Sequence, residues 1–452
     1  MRSKYSIGIR REDKNPWERR VPIIPEHVAG LVKDHGIEVL VQKSGLRAIP
    51  EEEYLRAGAK IVEDLSPCDT VFAVKEIPVR FLEKGKTYVF FSHTIKGQAH
   101  NMPLLRRLME LRCQLLDYEK MADEKGRRLV FFGKFAGLAG MIDTLWALGQ
   151  RLDLEKTPSP FSAVKRALEY PSLADAEAAL TEVGKRLAAD GLPDAVAPLV
   201  VGFAGYGNVS QGAQRILRRL PVEEIKPEEL MPLFQNRGGA RTKNRIFQVV
   251  FREEHMVEPV SPGQRFELQD YYGHPEKYRS QFEKYVPYLA VLVNCIYWDA
   301  KYPRLVTKNY LKKLYRETPR PRLKVIGDIT CDVDGSIECN VKPMDPGNPV
   351  FVYDALKDAA RDGCAGTGPV ILAVDNLPAE LPKESSREFS QALNPFVPEI
   401  AKADMAAGFE ACALSEPIKK ALLVYQGELT PGYRYLAKYL DAGPDKKQGE
   451  LR

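Results

Sequence analysis

The stretch Pro198-Leu-Val-Val-Gly-Phe-Ala-Gly205-Tyr-Gly207-Asn208-Val209-Ser210-Gln-Gly212-Ala-Gln-Arg-Ile-Leu217 constrains this chain more than any other. It opens as an apolar run, turns on closely spaced glycines and leaves with helical spacing. Such a run reads as a strand buried on both faces of a parallel sheet. Glycines at the turn let the backbone approach a pyrophosphate, which sits on the free N–H groups of the following helix. In the pattern G-x-G-x-x-G the slots fall on Gly205, Gly207 and Ser210, so a small residue replaces the third glycine. The glycine pair alone is a weak signal. With a strand before it and a helix after it, a dinucleotide-binding turn is the expectation.

At 452 residues the chain exceeds one ordinary domain, and two or three are expected. With 44% hydrophobic and 28% charged residues it suits a globular protein with a large core. A net charge of +5 gives little support for the basic face that nucleic acid requires, so no nucleic-acid partner is expected. No apolar run approaches a bilayer span, and the first residues carry no signal-peptide core. The expectation is a soluble, cytoplasmic protein with no membrane contact. The seven cysteines are scattered, odd in number and free of Cys-x-x-Cys, which predicts reduced, buried thiols.

Read in order, strands are expected at 5–10, 38–42, 70–75, 86–93, 114–119 and 129–132. Helices are expected from residue 26 and over 51–57 and 99–112. This alternation predicts an α/β domain with a mostly parallel sheet. The helix over 133–149 carries small residues at 136, 137, 139 and 140 that permit close packing, and reads as a crossing between domains. Residues 151–195 read as helix or loop without assigned function. From about 196 the dinucleotide unit begins, with its second strand at Val222-Glu-Glu-Ile-Lys226 and an extra strand at 247–251. Strands at 289–294, 323–328 and 370–375 follow, then a returning helix over 385–401 and a charged, frayed tail after Gly443. The predicted division is 1–135 plus 381–452 for substrate and 136–380 for cofactor.

Ligands lie at the carboxyl ends of strands in doubly wound sheets. Lys75, His93 and Glu119 stand at three such ends in the first domain, and Arg20 just after its first strand. Taken singly, each has a plain alternative: a solvated lysine, a satisfied core histidine, a surface arginine. Together they make a general acid–base site, with the lysine pKa lowered by neighbouring positive charge. In the cofactor domain Glu223 and Glu224 sit where an acid binds the adenosine ribose of NAD, whereas Lys226, Arg218 and Arg219 suit a 2′-phosphate. NADPH and NADH both stay open on these residues. Asp328 and Asp332 follow a strand aimed at the same place. The Asp-x-Asp-Gly turn lacks the spacing and terminal Glu of a calcium loop, so no metal is expected.

At these residues the chain resembles the lysine–2-oxoglutarate reductase portion of the aminoadipate-semialdehyde synthase type of enzyme. That group is similar to lysine-forming saccharopine dehydrogenases and to alanine dehydrogenases. The matching stretches are 10–20, Phe90-Phe-Ser-His-Thr-Ile-Lys96, Asp117-Tyr-Glu-Lys-Met121, 205–214, Val293-Asn-Cys-Ile-Tyr-Trp298, Gly335-Ser-Ile-Glu338 and Val374-Asp-Asn-Leu-Pro-Ala379. The resemblance implies two Rossmann-like, doubly wound α/β domains with a cleft between them. It implies an acid–base pair in Lys75 and His93, and carboxylate binding by Arg20, Lys96 and Arg128. Glu119 becomes an acid that tunes the site, and Asp332 an acid near the nicotinamide. Expected cofactor contacts are Gly205, Gly207, Asn208, Val209, Ser210, Glu224, Lys226, Asn294, Asp328 and Asn376. The implied reaction joins lysine to 2-oxoglutarate and reduces the imine to saccharopine with NADPH. The alternatives are an NAD-dependent, lysine-forming saccharopine dehydrogenase and a nucleotide-binding sensor without turnover. Expected partners are these small molecules, with a homo-oligomer compatible. Residues 151–195 do not clearly match, and no counterpart of the saccharopine-oxidising half of the fused enzymes is seen.

Overall fold

The structure, a computed structural model, describes residues 4–235 and 240–441. The charged tail after Gly443 lies outside the described residues. The chain divides into two compact units, Met1–Phe132 with Pro382–Arg452, and Gly133–Leu381. Each has an apolar core of its own. Among the described residues no helix is long and apolar enough to cross a membrane.

The first unit is built on six parallel strands: β1 (Ser6–Ile9), β2 (Glu38–Gln42), β3 (Lys60–Val62), β4 (Thr70–Phe72), β5 (Thr87–Phe90) and β6 (Gln114–Asp117). Their spatial order is β3-β2-β1-β4-β5-β6, the doubly wound arrangement. β1, β4, β5 and β6 are buried at every residue, as strands covered on both faces must be. The chain leaves β1 toward β2 on one side and returns to β4 on the other, so its direction of winding reverses there. Two antiparallel strands from the C-terminal segment, Leu422–Tyr425 and Glu428–Leu429, extend the sheet beyond β6.

Two expected elements differ. Residues 129–132 form no strand: Leu129 N–H bonds back to Met121 O, closing a turn through Asp123–Arg127, while Val130 is buried in the core. The helix expected over 385–401 is two, Pro382–Leu393 and Val397–Lys402. Pro395 and Pro398 lack the N–H groups a continuous helix needs.

The second unit contains β7 (Leu199–Ala204), β8 (Val222–Glu224), β9 (Ile246–Phe251), β10 (Val257–Pro259), β11 (Tyr278–Ser280), β12 (Val291–Asn294), β13 (Val325–Asp328), β14 (Val350–Asp354), β15 (Ala359–Asp362) and β16 (Val370–Leu372). Eight form one sheet in the order β15-β14-β16-β13-β12-β7-β9-β8, and β10 pairs with β11 apart from it. β14 and β15 run antiparallel; the other six are parallel. The expected second strand, β8, is outermost, and β9 takes the place beside β7. β9 has six residues, five of them buried, whereas β8 has three and none buried. Only the longer apolar strand can fill a slot covered on both faces.

The helix Gly133–Leu154 belongs to this unit and packs on Asn208–Leu217, the helix that follows the glycine turn. A Cβ on Gly137 would stand 1.9 Å from Val209 O, and one on Gly212 2.3 Å from Lys134 O. The two helices therefore meet backbone to backbone, which the small residues permit. Within 151–195 the main element is the helix Leu173–Asp190, capped by Ser172 and buried through Leu180, Val183 and Leu187.

Candidate active site and nucleotide site

β1, β4, β5 and β6 lie side by side and parallel, so their carboxyl ends share one edge of the first sheet. Arg20, Lys75, His93 and Glu119 each follow one of these ends. Arg20 is buried and pairs with Glu18 through two bonds, Nε–Oε1 at 2.7 Å and Nη2–Oε2 at 2.5 Å. Its guanidinium lies over Phe132, 4.1 Å from the ring centre. Phe132 in turn stacks on Phe389 and tilts against Phe91, so an aromatic cluster supports the arginine.

The turn at Lys75 is fixed by Glu12, whose carboxylate accepts from Val74 N–H at 2.7 Å and Lys75 N–H at 3.0 Å. Burial, then the charge of Glu18, pushes Glu12 up to about 7 despite those two N–H groups. The Lys75 ammonium is held below its ordinary value, chiefly by burial and then by the charges of Arg20 and Lys14; Glu18 and Glu76 oppose this. Neighbouring positive charge thus contributes, but desolvation leads.

His93 has φ +51°, the left-handed region that a residue with a Cβ seldom occupies. Asn101 Nδ2 donates to its carbonyl at 2.8 Å, and its ring stacks on Phe91 at 17°. Nδ1 meets Glu76 Oε1 at 2.5 Å. Glu119 is anchored by its N–H, which donates to Asp117 Oδ1 at 2.8 Å, while Asp117 Oδ2 accepts from Ser92 N–H at 3.0 Å. Asp117 thereby ties the end of β6 to the turn after β5, and burial raises its pKa. Glu119 and Arg128 share a pocket of about 790 Å³ with Lys120, Lys419 and Tyr433. Arg128 lies 5.9 Å from the centre of the Phe91 ring. Lys96 is exposed in the turn after His93 and makes no ion pair among the described residues.

Glu12, Glu18, Glu76 and Asp117 escaped the sequence analysis. Glu12 and Glu18 occur in a polar turn that looks solvated, and only the fold shows them buried. The available signals were the adjacency of Glu76 to Lys75 and of Glu18 to the Arg19–Arg20 pair.

In the second unit Gly205 has φ +92°, and a Cβ there would come within 3.1 Å of Ile296. Gly207 is the N-cap of the helix Asn208–Leu217, and a Cβ on it would project into open space. Asn208, Val209 and Ser210 form the first helical turn, with the buried Ser210 hydroxyl accepting from Gln214 Nε2 at 2.9 Å. Two pockets flank this turn. One, of about 410 Å³, is lined by Tyr271, Tyr272, Tyr297 and Tyr302; the other, of about 520 Å³, by Glu224, Lys226, Arg252 and His255. Tyr206 borders both. A backbone turn with this bend and this open side fits a dinucleotide.

At the ends of β12 and β13, Asn294 Nδ2 lies 2.8 Å from Asp328 Oδ1, 2.9 Å from Thr330 Oγ1 and 2.8 Å from Ser336 Oγ. Asn340 Nδ2 donates to Asp328 Oδ2 at 2.8 Å. Asn294 Oδ1 and Asn340 Oδ1 are buried without a hydrogen-bond partner. Burial pushes Asp328 up to about 6, although the bonds from Asn340, Asn294 and Thr330 pull it down. Asp332 is exposed in the next turn, its carbonyl accepting from Gly335 N–H at 3.0 Å. Asn376 is buried where it caps the turn Leu377–Glu380.

Two family models match in order: "Alanine dehydrogenase/PNT, N-terminal domain" over residues 8–139, and "Alanine dehydrogenase/PNT, C-terminal domain" over residues 245–432. The chain is 38% identical to an alpha-aminoadipic semialdehyde synthase of Arabidopsis thaliana, over 98% of this chain and 42% of that protein. It is 36% identical to the mitochondrial alpha-aminoadipic semialdehyde synthase of Bos taurus, over 96% and 48%. The chain thus spans about half the length of these relatives. A saccharopine dehydrogenase [NAD(+), L-lysine-forming] of Emericella nidulans is 27% identical over 86% of this chain and 90% of its own. Among solved structures, an L-alanine dehydrogenase superposes with TM-score 0.61 at 18% identity, over 96% of this chain and 99% of its own. Both domain models thus match in order along the chain, which has the fold of an alanine dehydrogenase over nearly all of its length and is a relative of the aminoadipic semialdehyde synthases.

Proposed function

We propose that this chain is an oxidoreductase of lysine metabolism that condenses L-lysine with 2-oxoglutarate and reduces the imine to saccharopine, using NADPH. The observation that carries the proposal is the row of Arg20, Lys75, His93 and Glu119 beyond four adjacent strand ends. The names of the relatives supply the substrate class.

The lysine side-chain amine must be neutral to attack the ketone, and the carbinolamine it forms must lose water. Both steps move protons. Lys75 Nζ, made more acidic by burial, and His93 Nε2, on the side of the ring away from Glu76, are the groups assigned to hold them. Saccharopine carries three carboxylates, and Arg20, Lys96 and Arg128 are the cations assigned to bind them. Glu119 tunes the charge of this site. A reduced nicotinamide, when bound, supplies the hydride. Gly205, Gly207, Asn208, Val209 and Ser210 would hold the pyrophosphate, Glu224 and Lys226 the adenosine end, and Asn294, Asp328, Asp332 and Asn376 the nicotinamide end.

Initial rates with NADPH and NADH in the saccharopine-forming direction, and with NADP+ and NAD+ in the lysine-forming direction, test this assignment. Faster reduction with NADPH in the saccharopine-forming direction is expected. Preference for NAD+ in the lysine-forming direction would instead assign the chain to the activity named for the Emericella nidulans relative, which matches over 90% of its length. Cofactor binding without turnover in any combination would leave a nucleotide sensor.

A further inference from the structure

In a dinucleotide-binding sheet, the residue ending the strand beside the first one meets the adenosine ribose. An acid there binds a free 2′-hydroxyl, and an arginine accommodates a 2′-phosphate. Here that strand is β9. It runs parallel to β7 with Phe251 opposite Ala204, and Gly205 N–H donates to Phe251 O at 3.0 Å. Arg252 is therefore the first residue past the backbone contact that fixes the glycine turn.

β8 lies one strand further out and ends low. Glu224 pairs in register with Gln248, short of the level of Phe251. Glu223 is taken by Arg241 and by Arg245 at 2.8 Å. The backbone of Glu224 thus ends below the level of Arg252, although its side chain still lines the pocket that Arg252 faces.

The Arg252 guanidinium lies over Tyr206, 4.6 Å from the ring centre, and faces the pocket of about 520 Å³ that Lys226 and His255 also line. Among the described residues neither Arg252 nor Lys226 makes an ion pair. Of the acids in the same wall, Glu224 stands 3.9 Å from Arg218 and Glu228 3.9 Å from His255; Glu254 is the third. Glu253, next in the chain, is the nearest candidate for a 2′-hydroxyl. Its Oε1 already accepts from Tyr272 at 2.7 Å and Tyr206 at 3.5 Å.

We propose that Arg252, seconded by Lys226, binds a phosphate on the 2′-position of adenosine and sets the cofactor preference. The proposal rests on the dinucleotide assignment of the glycine turn.

The test is calorimetric binding of two fragments without nicotinamide, adenosine 2′,5′-bisphosphate and adenosine 5′-monophosphate. The unaltered chain is expected to bind the bisphosphate about tenfold tighter or more, the scale of hydrogen bonds to a charged group. Arg252→Ala should abolish most of that ratio while keeping its affinity for the monophosphate, and Lys226→Ala should reduce the ratio less. If Arg252→Ala does not fold, Arg252→Gln with an unchanged melting temperature replaces it. An unaltered ratio in the Arg252 variant, or no ratio in the parent chain, overturns the proposal. Binding of neither fragment by the parent chain would overturn the dinucleotide assignment itself.

Discussion

Glu76 Oε1 lies 2.5 Å from His93 Nδ1, and the same carboxylate reaches Lys14 Nζ at 2.9 Å. Burial alone would raise Glu76, but the bonds and charges of His93 and Lys14 outweigh it and hold the carboxyl down to about 2. It is therefore ionised at neutral pH, accepts the Nδ1 proton and leaves Nε2 for substrate. Glu76→Gln keeps an acceptor and removes the charge. The acid limb of the pH–rate profile should then move to lower pH, because the imidazolium loses its counter-charge. His93→Ala should cut turnover at least about a hundredfold, the scale of lost acid–base catalysis. An unmoved profile in Glu76→Gln would mean the contact only packs the turn.

The pair Glu18–Arg20 has side chains 0% and 2% exposed. Removing one member of such a pair strands the other charge in the core. Glu18→Ala is expected to destabilise the first unit by about 3–5 kcal/mol. Urea unfolding measures this, and a loss under about 1 kcal/mol would show that water reaches the arginine.

Gly137 and Gly207 should respond in opposite ways. Gly137→Ala drives a Cβ into Val209 O and should cost about 1–3 kcal/mol, as overpacking does. Gly207→Ala meets nothing within 4 Å and should leave the melting temperature unchanged. It should nevertheless weaken dinucleotide binding by crowding the turn. Thermal melts with and without NADPH separate the two effects.

Asp143 and Glu380 are buried carboxyl groups that interact with one another. Burial, then the charge of Asp143, raises Glu380 well above the carboxylate range, and burial raises Asp143. The folded chain thus holds protons that the unfolded chain releases above its carboxyl values of 3.8–4.5. Stability from this pair is complete below that range and falls as pH rises through the raised folded values. Glu380→Gln can still donate to Asp143 but does not titrate. Melting temperatures from pH 5 upward should fall less steeply in this variant, and parallel slopes would contradict the assignment.

The strand–turn–helix over 198–217 and the strand ends carrying Lys75, His93 and Glu119 were legible because apolar runs closed by single polar residues survive in one dimension. The place of β9 was not. Which strand lies beside β7 depends on which can be buried on both faces, a tertiary matter that the twenty-residue spacing to β8 does not report. Hence Glu223 and Glu224 drew attention and Arg252 did not. Glu12, Glu18 and Glu76 were hidden for a related reason, since a buried acid and a solvated one look alike until the loops that cover them are placed. The C-terminal strands Leu422–Tyr425 and Glu428–Leu429 are short, and the pairing of the first with β6 joins residues some three hundred positions apart.

The most direct test is to mix the chain with L-lysine, 2-oxoglutarate and NADPH, follow nicotinamide absorbance and weigh the product. Absorbance should fall only when both substrates are present, and the product should have the mass of saccharopine. A flat trace with tightly bound cofactor, or oxidation that proceeds without lysine, would contradict the proposed function.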